Sequence, residues 1–383
     1  MKKQFLLFCL CLFLIPLRIF AAPELVEDKT QILKGVVTEI VSEKKSQIPG
    51  TEVEALQQVV KAKIQSENGK IVEFSNDYIE LKEGQTIFVS RVTDGLDGSV
   101  KYFFYDTYRI PVLIWLLMIF IVLTIIIGGK QGVRGLLSLF GSLVLILFAF
   151  IPAVLHGYSP IISSLVISSL IIVLGSFVTH GFNKTTSSAV IGMIITVALT
   201  GFLAEKTVQM AKLTGYESEE AVYLNMNFAG SIDIQGILLG GILIGLLGVL
   251  YDVAIGQAIS VEELLRIAPH APRRKIYLRA IRIGREHIGA LVNTLAIAYV
   301  GASLPLLLLF SSFPGGKIGL INREIFAAEI VRTLIGSIGL ILAVPICTWI
   351  SVFMITKNQK GVSSFSSEDE EKLETSHSHS HHH

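Results

Sequence analysis

The chain has 383 residues, of which 51% are apolar and only 16% charged, and its mean hydropathy is +0.63. Soluble domains carry about 25% charged residues, so a soluble globular protein is excluded. The 32 Lys and Arg residues against 31 Asp and Glu give a formal net charge of +1, which provides no general attraction to nucleic acid. The composition therefore predicts a membrane protein.

The N-terminus predicts a secretory signal peptide over residues 1–22. Two lysines precede a short apolar run, and Ala21 and Ala22 form a small-residue cleavage zone, which is the order of regions in signal peptides. An uncleaved anchor is the alternative, and either version places the following segment outside. Cys347 is the only cysteine beyond the signal, so we expect no intrachain disulfide.

Residues 23–107 predict a small extracytoplasmic β domain. Five short stretches have the alternating pattern of strands: Gln31–Ile40, Val59–Ser66, Lys70–Phe74, Thr86–Val92 and Val100–Tyr105. Asn68-Gly69 is a hairpin signal between the second and third strands, because both residues readily adopt positive φ angles. Five short strands favour an OB-like β-barrel, with a simple sandwich as the alternative. We expect either a docking or gating module that binds a protein partner, or a passive cap.

Seven apolar stretches then predict an α-helical membrane domain over residues 108–356. Each is long enough to be a transmembrane helix, which needs about 17–25 residues. They run over Ile110–Ile127, Gly135–Leu155, Ile161–Thr179, Ser187–Leu203, Ile234–Leu250, Ile288–Phe310 and Ile330–Ile355. Basic residues are densest between 266 and 285, which marks that connection as cytoplasmic. The prediction is therefore a multi-pass protein with the β domain outside and the C-terminus in the cytoplasm.

The cytoplasmic connection 251–287 predicts an amphipathic helix. Lys275, Arg279, Arg282 and Glu286 are spaced to form one stripe of such a helix. We expect the basic helix 273–287 to rest on anionic lipid headgroups of the bilayer. A cytosolic docking face is the alternative.

Residues 357–383 predict a disordered cytoplasmic tail, because they offer almost nothing to bury. Five of the last seven residues are histidines, which can bind a transition metal loosely. A low-complexity end without function, or a remnant of cloning, is the alternative. Since no metal-ligand spacing occurs elsewhere, we expect no metal site and no cofactor.

The fifth predicted span carries one carboxylate, Asp252, on a face made of glycine. The glycines on this face are Gly241, Gly245, Gly248 and Gly256. Such spacing is typical of close helix packing in membranes, but a carboxylate there needs a cation, a proton or water. Asp252 lies about 27 Å along the helix from its start, near the inner edge of the membrane. We expect it to share an inner polar cluster with Gln257, Glu286, His287, Asn293 and Thr294.

A second polar group is predicted toward the outside. Asn225 and Asn227 interrupt a short apolar segment, and Asp233 is placed to cap the next helix. A short, polar-broken segment beside a full span is typical of the discontinuous helices that build transporter binding sites. Glu329 and Arg332, one helical turn apart, are either an internal salt bridge or part of a substrate path. We treat all five as candidate substrate- or ion-binding residues.

The segment around Asp252 resembles the signature of the YibE/F family of bacterial membrane proteins. This segment, residues 245–264, reads GLLGVLYDVAIGQAISVEEL, and similar runs follow in order at 279–288, 292–295, 301–310 and 329–340. The likeness covers about residues 102–355. Family members often carry two acidic residues where this chain has Tyr251-Asp252, so Asp252 is left as the single candidate carboxylate. The resemblance implies a multi-pass plasma-membrane protein and supplies no substrate.

Three functions follow from these features. The preferred one is a secondary transporter or permease in which Asp252 responds to a proton or cation. We expect no enzyme, because the chain contains no Gly-x-Gly-Asp, Gly-x-Ser-x-Gly or His-Glu-x-x-His motif. The alternative is a non-transporting assembly or signalling partner that uses the β domain. The substrate and the oligomeric state stay open at this point.

Overall fold

The computed structural model describes residues 29–47, 54–95, 97–312 and 317–356. The predicted signal peptide and the predicted histidine-rich tail lie outside these residues. Contacts divide the chain into two compact units, with the boundary between Phe120 and Ile121.

Five antiparallel strands form the sheet of the N-terminal unit. They are β1 (Lys29–Gln47), β2 (Glu54–Ile64), β3 (Ile71–Asn76), β4 (Thr86–Thr93) and β5 (Val100–Thr107). Their order in the sheet is β3-β2-β1-β4-β5. The sheet curls into a half-barrel, so that its edge strands β3 and β5 come close together. Lys70, just before β3, donates a hydrogen bond of 3.2 Å to the Tyr102 hydroxyl in β5.

The hairpin predicted between β2 and β3 is confirmed. Asn68 has a φ of 51° and Gly69 a φ of 77°, which are the left-handed values that a tight hairpin turn needs. Each of the five predicted strands overlaps an observed one. In β3, exposed and buried residues alternate along the strand, and the inward side chains Val72 and Phe74 join the core of the sheet. The β domain thus has its own hydrophobic core.

Ten α-helices are described after the sheet. They are α1 (Ile110–Leu145), α2 (Ile151–Leu155), α3 (Pro160–His180), α4 (Lys184–Met210), α5 (Glu219–Asn227), α6 (Ile234–Ile267), α7 (Arg273–Ala302), α8 (Leu304–Ser312), α9 (Lys317–Ile321) and α10 (Glu324–Thr356). A π-helical turn, Ile146–Phe150, joins α1 to α2. The helix α7 contains both the predicted basic helix and much of the predicted sixth span.

Within the described residues, five helical runs are long and apolar enough to cross a membrane. They are Ile110–Leu155, Pro160–His180, Lys184–Met210, Ile234–Ile267 and Glu324–Thr356. A sixth results if α7 and α8, which are bent by 67° relative to each other, count as one broken span. The protein is therefore membrane-embedded and multi-pass, as its composition predicts.

The first of these runs is not one straight helix. Gly129 has a φ of 54° and a ψ of −136° inside α1, which no helical residue adopts. A Cβ atom on Gly132 would strike the carbonyl oxygen of Thr124, although residues eight apart in a straight helix are separated by about 12 Å. The chain therefore folds back on itself at Gly129, and the run consists of two helical pieces.

The central helix of the C-terminal unit is α6. It packs against α3, α4, α7 and α10, and the largest apolar cluster lies around Leu243, Leu250 and Ala254 of this helix. By contrast, Leu145 is the only buried residue of α1. The apolar surface of α1 is thus available to lipid.

The helices α4 and α10 are antiparallel and packed very closely. Ser188 and Ser351 share a hydrogen bond of 2.9 Å, and a Cβ atom on Gly192 would lie 2.5 Å from the sulfur of Cys347. Small residues recur at every fourth position along both contact faces: Ser188, Gly192, Thr196, Thr200 and Ala204, against Gly339, Ala343, Cys347 and Ser351. This is the small-residue packing of membrane helices, and it holds the bundle together.

Candidate functional site

A half-buried arginine joins three separate segments at the end of the bundle where α6 begins. The Arg332 guanidinium bonds Glu217 at 2.5 Å, in the loop before α5, and also forms an ion pair with Glu329, one turn earlier in α10. The Ser303 hydroxyl, at the bend between α7 and α8, donates to Glu329 at 3.4 Å. We call these four residues the Arg332 cluster.

The charged groups of the Arg332 cluster are largely withdrawn from solvent. The Arg332 side chain is 23% exposed, Glu217 is 17% exposed and Glu329 is 27% exposed. Burial raises the pKa of Glu217 above its ordinary value, while the Arg332 guanidinium opposes this shift. One oxygen of Glu217, Oε2, is buried and receives no hydrogen bond from the described residues. The predicted salt bridge is confirmed, and it contains a third charged partner that sequence reasoning missed.

The loop before α5 is fixed by further contacts with α10 and α6. Glu324, in the first turn of α10, accepts hydrogen bonds from the backbone N–H groups of Thr214 at 2.5 Å and Gly215 at 2.6 Å. Gln235 donates to the Leu213 carbonyl at 2.5 Å. Gly215 has a φ of 89°, and a Cβ atom there would lie 2.6 Å from the Ile234 carbonyl oxygen, so only glycine fits. The loop therefore has a defined position beside the Arg332 cluster.

Next to this loop is an open cavity of about 290 Å³, which we call the α5 cavity. Its charged wall residues are Glu217, Glu220 and Arg332. Its apolar wall comes from α5 and the first turns of α6: Ala221, Leu224, Ile234, Ile237 and Leu238. Gly241 completes the wall, so the glycine face of α6 begins inside the cavity.

Of the predicted outer polar residues, Arg332 lies in the wall of this cavity, whereas Asn225, Asn227 and Asp233 are not among its wall residues. Asp233 caps α6, because its carboxylate accepts a hydrogen bond of 2.8 Å from the N–H of Gly236, as predicted. Asn225 is half-buried, and its backbone carbonyl accepts from Gly230 at 2.9 Å. Asn227 is exposed at the end of α5. The contacts of Asp233 and Asn225 are those of a turn between two helices.

The predicted inner polar residues do not form one group of contacts. Gln257 is buried and accepts a hydrogen bond of 2.9 Å from the Thr348 hydroxyl in α10. The side chains predicted to join it are exposed: Glu286, His287, Asn293 and Thr294. Asp252 is exposed as well, and no described residue forms a hydrogen bond or an ion pair with it. Gln257 thus links α6 to α10, whereas Asp252 has no hydrogen-bond or ion-pair partner among the described residues.

The glycine face of α6 is open, which corrects the helix-packing role expected for it. A Cβ atom on Gly241, Gly248 or Gly256 would meet no atom within 4 Å, and one on Gly245 would meet only the Tyr299 hydroxyl, at 3.3 Å. The physical reason is that α3, α4, α7 and α10 bury the other sides of α6. The close approach occurs at Gly192 instead.

A model of the YibE/F-like protein family matches residues 116–357, which is more than half of the chain. The chain belongs to the YibE/F-like family. No curated protein and no solved structure gives a significant match to it.

In this YibE/F-like protein, sequence reasoning missed Glu217, Glu324 and Thr214. The available signal was Gly215, a glycine followed closely by a carboxylate and by Ser218, which caps α5 through the N–H of Ala221 at 3.3 Å. Such a sequence indicates a structured turn into a helix.

Within residues 29–47, 54–95, 97–312 and 317–356, no group of three or more His, Cys, Asp or Glu side chains is arranged to hold a metal ion. Cys347 is buried in the α4–α10 contact, where its sulfur serves packing. The chemistry that the described YibE/F-like chain offers is therefore that of carboxylates, one half-buried arginine and an open glycine face.

Proposed function

We propose that this protein is a secondary transporter or permease in which Asp252 responds to a proton or a cation. The observation that carries the proposal is the open face of α6. Gly241, in the wall of the α5 cavity, lies on the same helical face as Asp252, about 17 Å further along the helix. Between them, a Cβ atom on Gly248 would meet no atom within 4 Å, and one on Gly245 would meet only the Tyr299 hydroxyl, so this face is little covered from the cavity to the carboxylate.

The arrangement of the helices supports the same proposal. The short helix α5 precedes the full-length α6, and α7 and α8 are bent at Ser303, which are the features of discontinuous helices in secondary transporters. Asp252 is an exposed carboxylate beyond the apolar stretch Ile234–Leu250 of α6, and such a group is costly in a membrane unless it serves a path for ions or protons. No catalytic role is proposed for any of these residues.

We further propose seven spans in a bacterial plasma membrane. The turn at Gly129 divides the first helical run into two pieces, and the bent pair α7 and α8 provides a further span. The β domain would then be outside and the C-terminus in the cytoplasm, since the connection rich in arginine is cytoplasmic. The strand order β3-β2-β1-β4-β5, with β3 near β5, supports an OB-like fold.

Substitution of Asp252 by asparagine tests the transporter proposal. The purified protein is placed in lipid vesicles with an imposed pH or Na⁺ gradient, and a panel of small solutes is added. We expect the wild type to dissipate one gradient in a solute-dependent way, and Asp252→Asn to be at least tenfold slower, because the amide cannot exchange a proton or attract a cation. An entrapped fluorescent dye measures the gradient.

The matched control is Glu263→Gln, since Glu263 is an exposed carboxylate eleven residues further along the same face of α6. We expect this variant to keep wild-type flux. Equal flux in Asp252→Asn and the wild type would contradict the proposed role of Asp252. A wild type that moves neither ion with any solute would contradict transport itself.

A second candidate, a non-transporting assembly or signalling partner, is favoured by one feature of the β domain. Ile32 in β1 pairs with Ser90 in β4, which pairs with Phe103 in β5. Ile32 and Phe103 are each about half exposed, as is Tyr105 in the same strand. These exposed apolar side chains suit a protein partner. Phe103→Ser should then abolish binding of that partner while leaving flux in the vesicle assay unchanged.

The basic part of α7 supports contact with anionic lipid headgroups. Lys275, Arg279 and Arg282 are exposed, while Ile276 and Ala280, on another side of the helix, are fully buried. Leu278 and Ile283 are exposed beside the basic residues. A helix fixed on one side, with cations and apolar groups on the other, is suited to a membrane surface.

A further inference from the structure

We propose that the α5 cavity binds a small organic cation: a protonated primary amine whose body is apolar. This inference deepens the transporter proposal and rests on it only in calling the ligand a substrate. Binding to the cavity can be measured without any flux, so the two proposals can be tested separately.

The charges of the cavity favour a cation. The charged wall residues are two glutamates, Glu217 and Glu220, and one arginine, Arg332, which leaves an excess of one negative charge. The Arg332 guanidinium is already bonded to two carboxylates, so an anionic ligand would have to compete with both. Glu220 forms no salt bridge with a described residue. A cation therefore finds attraction here, and an anion finds repulsion.

One acceptor at the cavity is left without a donor. Arg332 occupies Oε1 of Glu217 at 2.5 Å, whereas Oε2 is buried and receives no hydrogen bond from the described residues. Leaving such a group unpaired costs free energy, so a donor supplied by a ligand would be favourable. Glu217 is itself a wall residue of the cavity, so a donor on a ligand bound there would lie beside this carboxylate. An ammonium group would supply the N–H donor that Oε2 of Glu217 lacks.

The rest of the wall determines what the ammonium is attached to. Five apolar side chains of α5 and α6 face the cavity, among them Leu224 and Ile237. A hydrated inorganic cation gains nothing from such a wall, whereas an alkyl group gains from burial. The volume of about 290 Å³ is at the lower end for ligand sites, so the ligand is a small amine.

The test uses three probes that share one alkyl chain: n-butylammonium, n-butanol and butyrate. Binding to the purified full-length protein in lipid nanodiscs is measured by calorimetry. We expect butylammonium to bind at least tenfold more tightly than butanol, and butyrate to show no binding. Glu217→Gln and Glu220→Gln should each weaken butylammonium binding about tenfold, which corresponds to about 1.4 kcal/mol.

Glu219→Gln is the matched control, because Glu219 is in the same first turn of α5 but not in the cavity wall. It should leave binding unchanged. Since Glu217→Gln disturbs the Arg332 cluster, a second blocking variant is Gly241→Leu. A Cβ atom there would meet nothing within 4 Å, so leucine can be introduced without a clash at its Cβ atom, and its side chain would occupy the cavity and abolish binding.

Several outcomes would overturn the proposal: no binding of butylammonium, equal binding of butanol, preferred binding of butyrate, or equal loss of affinity in Glu219→Gln. The outcomes are separable from those of the transport test. Butylammonium binding without flux in any assay contradicts transport alone, and flux that depends on Asp252 without butylammonium binding contradicts the ligand class alone.

Discussion

Replacing Arg332 by leucine is expected to destabilise the folded protein by about 3–5 kcal/mol, the usual cost of removing one partner of a buried ion pair. The substitution leaves Glu217 and Glu329 close together, with no cation between them. Both side chains are less than one third exposed, so solvent screens their repulsion poorly. The expected result is a strong loss of monodisperse protein in detergent and a lower Tm, measured by size-exclusion chromatography and thermal unfolding.

The chain provides a matched control in Arg266. It also pairs with two glutamates within one turn, Glu262 at 3.4 Å and Glu263 at 3.0 Å, but its side chain is 68% exposed. Exposed pairs contribute about 0–1 kcal/mol, so Arg266→Leu should have little effect on Tm. Adding Glu217→Gln and Glu329→Gln to Arg332→Leu should recover part of the stability. Equal effects of the Arg332 and Arg266 substitutions would contradict a buried cluster.

Adding one methyl group at Gly192 is expected to be the second most damaging change. In Gly192→Ala the new Cβ atom would lie 2.5 Å from the sulfur of Cys347 and 3.0 Å from its Cα atom. Because the second of these is backbone, α4 and α10 must move apart along their whole contact. Overpacking of this kind costs about 1–3 kcal/mol, even though alanine favours the helix more than glycine does. Thermal unfolding in detergent should show a clearly lower Tm.

Gly248→Ala makes the same chemical change where nothing lies within 4 Å. There the gain in helix propensity is the main effect, so the Tm should stay the same or rise. Cys347→Ala combined with Gly192→Ala removes the sulfur and should recover part of the lost stability. If Gly192→Ala and Gly248→Ala gave the same Tm, the close contact of α4 with α10 would be refuted.

The elements of the fold were predictable where the pattern is local. The five strands, the turn at Asn68-Gly69 and the cap at Asp233 follow from residues a few positions apart, because alternation and turn chemistry act over that range. The pair of Glu329 and Arg332 was likewise visible from its spacing on one helix. The family membership also agrees with the resemblance seen around Asp252.

The contacts between distant segments were not predictable, and the glycines show why. Glycine spacing marks a face that allows close approach, but it does not specify whether a neighbouring helix lies there. Gly241, Gly248 and Gly256 of α6 remain open, while a close contact is made by Gly192 with Cys347. In the same way, Glu217 is separated from Arg332 by 115 residues, so no local pattern connected them.

The bend at Ser303 connects the Arg332 cluster to the angle between α7 and α8. Ser303 is hydrogen-bonded to Glu329, Glu329 is paired with Arg332, and Arg332 holds Glu217 in the loop before α5. These contacts therefore connect three parts of the chain: the bend between α7 and α8, the helix α10, and the loop before α5. A change in the angle between α7 and α8 would therefore strain the Ser303–Glu329 hydrogen bond and, through Glu329 and Arg332, the position of the loop before α5.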